Sequence, residues 1–415
     1  MKLTSLFFTI KTFRKTILIS SCLVLALASC GSSIKKKETG GEKRDSVMVK
    51  TNVLPAINTG ADNFETYLPL LNDKKIAIVT NQSGLLSNNT HIVDFLLEKN
   101  IAIQKIFAPE HGFRGTADAG EHVVDGKDAK TGLPIVSLYG DNKKPKAGQL
   151  AGIDIMVFDL QDVGARFYTY ISSLHYVMEA CAENNIPLII LDRPNPNGNV
   201  VDGPILEKEY SSFVGMHPIP VLHGMTIGEY GQMINGEKWL KNGVQCKLKV
   251  IPCTNYNHRM NYSLPVKPSP NLPNDQAINL YASLCFFEGT NVSVGRGTEK
   301  QFQIYGSPYL PKSGFSFIPK PNVGAQNPIY NGVECFGEDL SAIAKVKQLE
   351  LKWLIKAYQT TSDKSKFFNV FFTKLAGTEK LQTQIENAVP EGEIRKSWQQ
   401  GLIEFKKIRS QYLIY

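Results

Sequence analysis

Carboxylate side chains in this 415-residue sequence lie in short polar stretches suited to acid–base chemistry. Glu110 stands beside His111, Asp159 and Asp162 follow an apolar run, and Glu288 opens a glycine-rich stretch. Cleavage of a glycosidic bond needs such groups, because a protonated acid must meet the leaving oxygen while a second group stabilises or attacks the anomeric carbon. We take Glu110, Asp159 and Asp162 as candidate catalytic residues. His111 either orients Glu110 or takes part directly.

Signatures of other catalytic classes are absent from the sequence. It contains no HExxH zinc motif, no GxSxG nucleophile elbow and no Cys or His pairs at zinc spacing. The stretch 288–299 is rich in glycine but lacks the GK[ST] ending of a phosphate-binding loop. We therefore expect no metal ion and no organic cofactor. The sequence also lacks the motif that would supply the nucleophile of a serine-type mechanism.

Short apolar runs alternate with segments of helical periodicity along most of the chain. The runs are continuous rather than alternating, which predicts strands buried on both faces and hence a parallel sheet between helices. We expect a Rossmann-like α/β fold, with a mostly parallel sheet and helices on both faces, plus a smaller mixed α+β C-terminal domain. Predicted strands are 75–80, 101–108, 154–160, 187–192 and 246–252, and predicted helices are 89–99, 167–184, 221–237, 275–287, 337–358, 377–389 and 392–410.

Polar loops follow four of the predicted strands. Ligands of open parallel sheets bind at the carboxyl ends of the strands, so these loops are expected to converge on one rim. Amide, guanidinium and phenol groups held in such loops suit a ligand with many hydroxyl and amide groups, such as a sugar. The candidate substrate-binding residues are Asn81, Gln82, His111, Arg114, Gln161, Arg166, Tyr168, Arg193, Asn195, Asn197, His223, Glu288, Asn291, Arg296 and Thr298.

Each polar stretch also has a structural interpretation, which the sequence leaves open. Residues 81–84 fit a turn with a helix cap, and Asp192 with Arg193 fits an internal ion pair. Asp159 fits a cap of the segment that follows it. Glu229 lies three residues after a threonine, which is the pattern of a capping box at a helix start. The stretch 288–299 fits a polar loop between a helix and a strand.

The N-terminal residues have the pattern of an export signal. A basic stretch up to Lys15 precedes an apolar run that is too short for a permanent membrane helix. The run ends in Leu27-Ala28-Ser29-Cys30, which resembles a lipobox, so we expect lipidation at Cys30 and a membrane anchor; an ordinary signal with an incidental cysteine is the alternative. We expect the periplasm-facing outer membrane as the location, with the cell surface as the alternative.

The length of the chain indicates its domain organisation, and its charge distribution excludes one class of partner. A chain of this size exceeds what one hydrophobic core usually serves. We expect a signal peptide at 1–30, a flexible tether at 31–58, a catalytic domain at 59–272 and a C-terminal domain at 273–415 that closes the cleft. The formal net charge of +8 is concentrated in residues 1–50, so the folded part is near neutral and lacks the basic field of a nucleic-acid-binding protein. The sequence does not reveal the oligomeric state.

Several motifs resemble those of the exo-acting β-N-acetylmuramidase family of the NamZ type, and the resemblance covers residues 60–415. It is carried by PEHGFRG (109–115), FDLQDVGARFYTY (158–170), LDRPNPNG (191–198), PSPNLPN (268–274), FEGTNVSVGRGT (287–298), KLAGTEKLQTQI (374–385) and SWQQGLIEFKKIRSQYLIY (397–415).

The resemblance implies a cleft between two domains and removal of terminal N-acetylmuramic acid from the non-reducing ends of peptidoglycan fragments. It implies that Glu110 of PEHG is the general acid. Whether a carboxylate, the 2-acetamido group of the substrate or an activated water attacks the anomeric carbon stays open. The lactyl carboxylate of muramic acid calls for a fixed guanidinium, and Arg114, Arg166, Arg193 and Arg296 are the candidates. A glycan-binding lipoprotein without activity, or a serine esterase or amidase, are the alternative functions.

Overall fold

A seven-stranded sheet organises the first half of the folded chain. The computed structural model describes residues 55–113, 125–312 and 314–415. The strand order is β3-β4-β2-β1-β5-β6-β7, and every neighbouring pair is parallel except β3 with β4. The strands are β1 (Lys75–Thr80), β2 (Ala102–Ala108), β3 (Gly126–Lys127), β4 (Pro134–Ser137), β5 (Ile155–Asp159), β6 (Leu188–Leu191) and β7 (Leu248–Ile251).

Helices cover both faces of this sheet, as expected for strands that are apolar throughout. In β1, Ile76 and Ile78 face one side and pack in a core with the first two helices. Ala77 and Val79 face the other side and pack in a second core with the fourth and fifth helices. The Rossmann-like α/β class predicted from the sequence is therefore confirmed. These helices are α1 (Phe64–Leu71), α2 (Ile92–Glu98), α3 (Ala147–Leu150), α4 (Tyr170–Glu183) and α5 (Ile227–Gly236).

The C-terminal part combines helices with a small antiparallel sheet of order β8-β10-β9. Its apolar side chains, among them Phe286 and Phe405, belong to the same core as Ala77 of the large sheet. The predicted division between 59–272 and 273–415 stays a prediction. The elements are α6 (Asp275–Leu284), β8 (Ile304–Ser307), β9 (Ser316–Phe317), β10 (Cys335–Asp339), α7 (Lys352–Thr360), α8 (Phe372–Ala376), α9 (Lys380–Glu386), α10 (Glu391–Ser397) and α11 (Gln399–Arg409).

Two predicted helices of the C-terminal part are wrong in extent. The segment 337–358 was expected to be helical, but its first residues belong to β10, and α7 begins only at Lys352. β10 pairs with β8 so closely that a Cβ on Gly337 would lie 1.8 Å from the Tyr305 carbonyl oxygen, a contact that only glycine permits. The predicted helix 392–410 is divided into α10 and α11 at Trp398.

Two further points bear on the sequence predictions. The capping box at the start of α5 is confirmed, because the Thr226 backbone N–H donates to Glu229 Oε2 at 2.9 Å and the Glu229 backbone N–H donates to Thr226 Oγ1 at 3.3 Å.

No helix within the described ranges is long and apolar enough to span a bilayer. Arg114 and Cys30 lie outside the described residues.

Candidate active site

A cavity of about 510 Å³ lies where the carboxyl ends of the strands meet the C-terminal part. The large-sheet part contributes Glu110 and Tyr168 to its lining, and the C-terminal part contributes Glu288 and Arg296. Its volume is within the range of small-ligand sites. The cavity therefore unites acidic, cationic and aromatic groups from distant parts of the chain.

Glu110 enters the cavity from the turn after β2. The Thr169 hydroxyl, just before α4, donates to Glu110 Oε2 at 2.8 Å, which fixes the carboxyl group. His111 adopts a φ of 71°, uncommon for a residue with a side chain, and is buried with its side chain in the cavity lining. The Gly112 N–H closes this turn on the Pro109 carbonyl at 3.0 Å. A rigid, strained turn thus presents a held carboxyl group, which is the arrangement that general acid catalysis requires.

Glu288 and Arg296 form an ion pair in the part of the wall that the C-terminal part contributes. Arg296 Nε donates to Glu288 Oε1 at 2.5 Å, and the guanidinium lies 5.1 Å above the ring of Phe302. Burial acts to lower the pKa of Arg296, but the Glu288 carboxylate outweighs it and holds that pKa above its usual range. Arg296 Nη1 is buried and has no hydrogen-bond partner in the described part of the chain. A fixed cation with an unsatisfied donor can receive an anionic group of a ligand.

Asp159 and Arg193 pair with each other outside the cavity lining. Arg193 Nε donates to Asp159 Oδ1 at 2.5 Å, Nη2 donates to Oδ2 at 2.9 Å, and both side chains are almost fully buried. Burial acts to lower the pKa of Arg193, and Asp159 outweighs that effect to raise it. Neither residue lines the cavity. The internal pair anticipated for Arg193 exists, but its partner is Asp159 rather than Asp192.

Arg166 also lies outside the cavity lining. Its side chain is fully buried, and Nη1 donates to the carbonyl oxygens of Pro204 and Ile219 while Nη2 donates to those of Leu375 and Ala376, at 2.7 to 3.0 Å. Burial lowers the pKa of Arg166 to about 9, so the group is still charged at neutral pH. Four carbonyl oxygens, two of them at the end of α8, replace water around it. Arg166 thus joins the large-sheet part to the C-terminal part.

Comparison with known proteins identifies the family of this chain. A family model described as "Exo-beta-N-acetylmuramidase NamZ, N-terminal" matches residues 76–276, and one described as "Exo-beta-N-acetylmuramidase NamZ, C-terminal" matches residues 279–415. The chain belongs to the NamZ family. The peptidoglycan β-N-acetylmuramidase NamZ of Bacillus subtilis (strain 168) is 39% identical over 384 residues, which are 87% of this chain and 92% of that protein.

Two solved structures share the fold of this NamZ-family chain. Both are crystal structures of DUF1343 family proteins from Bacteroides fragilis NCTC 9343. One is 44% identical, with a TM-score of 0.81 over 87% of this chain and 99% of the other. The second is 26% identical, with a TM-score of 0.74 over 87% of this chain and 100% of the other. The family resemblance noted in the sequence is confirmed.

The other polar residues after β5 of this NamZ-family chain hold the loops rather than line the cavity. Asp162 Oδ2 accepts from the Gly164 N–H at 2.7 Å and lies 3.4 Å from His223 Nε2. Gln161 Nε2 donates to the carbonyl oxygens of Asp162 and Pro194, each at 2.8 Å. These contacts stiffen the loop that carries Tyr168 and Thr169 into the cavity.

Several predicted asparagines likewise bind the protein itself. Asn81 Nδ2 contacts the Tyr170 hydroxyl at 2.6 Å, Asn195 Nδ2 donates to the Met225 carbonyl at 2.8 Å, and Asn197 Nδ2 donates to the Val163 carbonyl at 2.9 Å. None of the three asparagines lines the cavity. They keep the converging loops in place around it.

The remaining candidates occupy three different settings. Tyr168 lines the cavity and donates to the Pro268 carbonyl oxygen at 2.8 Å. Gln82 lines an adjoining surface groove, and its Nε2 donates to the carbonyl oxygens of Lys267 and Pro268 at 3.1 and 3.2 Å. The Thr298 hydroxyl donates to the Gly295 carbonyl oxygen and so closes its own loop. Asn291 lies between the cavity-lining residues Thr290 and Val292, and its side-chain amide atoms are buried without a hydrogen-bond partner in the described chain.

Sequence reasoning missed several residues that line the cavity. Thr169 and Asn271 lie inside motifs that carry the family resemblance, FYTY and PSPNLPN, and membership of those motifs is the signal that could have identified them. Tyr139, Phe213 and Val214 lie outside the loops that directly follow the predicted strands, so nothing in their local sequence marks them as cavity residues.

Proposed function

We propose that this chain hydrolyses terminal β-linked N-acetylmuramic acid from the non-reducing ends of peptidoglycan fragments. Membership of the NamZ family and the name of the Bacillus subtilis relative support the glycosidase class and the substrate. The observation that carries the proposal is that Glu110 and Arg296 line one cavity. A proton donor and a fixed cation are the two groups that bond cleavage and recognition of muramic acid require.

Arg296 is assigned to the lactyl carboxylate, the group that distinguishes muramic acid from glucosamine. Of the three candidate arginines in the described chain, Arg166 and Arg193 are committed to internal partners outside the cavity lining. Arg296 has a buried donor without a partner and lies in the lining. A charge-assisted bond to a carboxylate is among the stronger hydrogen bonds in proteins.

Glu110 is assigned as the general acid. Its proton passes to the glycosidic oxygen as the bond from that oxygen to the anomeric carbon breaks, and the bonding electron pair leaves with the oxygen. Thr169 holds the carboxyl group in position. Glu288 is the other carboxylate in the described lining, whereas Asp159 and Asp162 are proposed to act by positioning the loops. Water supplies the oxygen that replaces the leaving group at the anomeric carbon, either by direct attack or by releasing a bond first formed with a carboxylate or with the 2-acetamido oxygen.

The proposal is tested by measuring hydrolysis of a chromogenic β-N-acetylmuramide and of the matching β-N-acetylglucosaminide. Wild type is expected to prefer the muramide. The variant Arg296→Gln removes the positive charge but keeps a hydrogen-bond donor for Glu288. Its kcat/KM for the muramide is expected to be about 30-fold lower than that of wild type, which corresponds to about 2 kcal/mol. The exposed Arg259→Gln is the matched control. Unchanged preference in the Arg296 variant contradicts the assignment.

We also propose that the chain is exported and held on a membrane by lipid at Cys30. The support is the sequence alone, namely the apolar run that ends in Leu27-Ala28-Ser29-Cys30. The periplasmic face of the outer membrane would place the enzyme beside its substrate. Incorporation of labelled palmitate into the full chain, and its loss in Cys30→Ala, is the expected result. Equal labelling of both chains contradicts lipidation at this residue.

A further inference from the structure

A tight turn with an apolar tip forms part of the cavity wall. The backbone N–H of Ser212 donates to the Gly215 carbonyl at 2.8 Å, and the Gly215 N–H donates back to Ser212 at 3.0 Å. The two central residues are Phe213 and Val214, and both line the cavity while staying partly exposed. Turn centres usually carry glycine, asparagine, aspartate or serine, so an apolar pair in this position calls for an explanation.

Aromatic and cationic neighbours fix the ring of Phe213. The Tyr139 ring, also in the cavity lining, lies 6.4 Å away between centroids, and the Tyr176 ring lies 6.3 Å away and nearly parallel, at 20°. Lys143 Nζ lies 4.9 Å from the ring centroid. A cation–π contact at a partly exposed site is weak, so a ligand ring can displace the lysine. Phe213 and Tyr139 together therefore offer a rigid, partly exposed aromatic surface inside the cavity.

This aromatic surface and Arg296 belong to separate parts of the cavity. The ring of Phe213 lies against Tyr139, Tyr176 and Lys143. Arg296 lies against Glu288 and Phe302, with Tyr281 and Cys285 also close by, and none of these four is among the neighbours named for Phe213. Terminal muramic acid held at Arg296 thus leaves the aromatic surface for the next sugar of the fragment.

We propose that Phe213 and Tyr139 form the acceptor subsite, which binds the leaving sugar, a neutral N-acetylglucosamine unit. This inference rests on the proposed function. The C–H faces of a pyranose ring pack against aromatic rings, and a neutral sugar needs no cation at this position. By holding the leaving sugar, the subsite aligns the glycosidic oxygen with Glu110, and it favours saccharide fragments over simple glycosides of muramic acid.

Two substrates test this subsite. The disaccharide N-acetylmuramyl-β-1,4-N-acetylglucosamine fills it, whereas methyl β-N-acetylmuramide has no ring on the leaving side. Phe213→Ala is expected to raise KM for the disaccharide about tenfold, with kcat changed less, and to leave KM for the methyl glycoside within about twofold. Phe213→Tyr is expected to retain wild-type KM for both substrates.

The control is Phe315→Ala, which removes a partly exposed phenylalanine outside the cavity lining. Thermal unfolding of each variant checks that the fold is intact. An unchanged disaccharide KM in Phe213→Ala, or an equal rise in KM for both substrates, overturns the acceptor subsite. If the wild-type chain hydrolyses neither the disaccharide nor the methyl glycoside, the proposed function on which the subsite rests is overturned.

Discussion

Replacing Arg166 tests whether its guanidinium joins the two parts of the fold or binds substrate. In Arg166→Met the carbonyl oxygens of Pro204, Ile219, Leu375 and Ala376 lose the four N–H groups that now contact them. Bonds to a charged group contribute about 1.5–3 kcal/mol each, but relief from burying the charge offsets a large part of that sum. We expect a net loss of about 3–5 kcal/mol in the free energy of unfolding, because four buried carbonyl oxygens are left without donors and each unsatisfied group costs about 1–3 kcal/mol.

Urea unfolding at pH 7, followed by circular dichroism, measures this loss. Arg166→Lys is the matched comparison; it keeps the charge but lacks the planar fork that reaches four carbonyl oxygens, so an intermediate stability is expected. Its preference for muramide over glucosaminide is expected to equal that of wild type. A loss of stability below about 1 kcal/mol in Arg166→Met, or a lost substrate preference with stability retained, would refute the structural role.

Two further variants test the buried charges at the ends of β5 and β6. Asp159→Asn leaves Arg193 buried without its carboxylate, and urea unfolding is expected to show a loss of about 3–5 kcal/mol; a loss below about 1 kcal/mol contradicts this. Burial raises the pKa of Asp192 to about 6 from the ordinary 3.8, so the wild-type folded state gains stability as the pH falls through 6. Asp192→Asn lacks this gain. Its deficit in the free energy of unfolding, relative to wild type, is therefore expected to be about 1 kcal/mol larger at pH 5 than at pH 7. An equal difference at both pH values contradicts this shift.

The central strands of the large sheet were predictable from sequence because burial on both faces leaves continuous apolar runs. β1 matches its predicted range, whereas β3 and β4 were missed because Gly126–Lys127 and Pro134–Ser137 are too short to show a strand pattern. β10 was missed because CFGED has no strand pattern; its conformation is set by antiparallel pairing with β8, a tertiary contact.

The site was predictable only in outline. Polar loops after parallel strands indicated the rim at which the cavity lies, but the sequence does not show which carboxylates reach the cavity and which are enclosed. Glu110 follows β2 and Asp159 ends β5, with β1 between these two strands, yet the first side chain lines the cavity and the second is buried against Arg193. The difference depends on loop geometry, such as the left-handed turn at His111, which local composition does not encode. The place of Phe213 in the cavity could not be predicted, because an apolar residue in a turn has no distinguishing local pattern.

The most direct test of the account compares two leaving groups in Glu110→Gln. A sugar leaves poorly unless its oxygen is protonated, whereas 2,4-dinitrophenolate leaves without help from an acid. We predict that the variant loses at least about 100-fold in kcat on N-acetylmuramyl-β-1,4-N-acetylglucosamine and less than about tenfold on 2,4-dinitrophenyl β-N-acetylmuramide. Unchanged turnover of the disaccharide, or equal losses on both substrates, would contradict the assignment of Glu110 as the general acid.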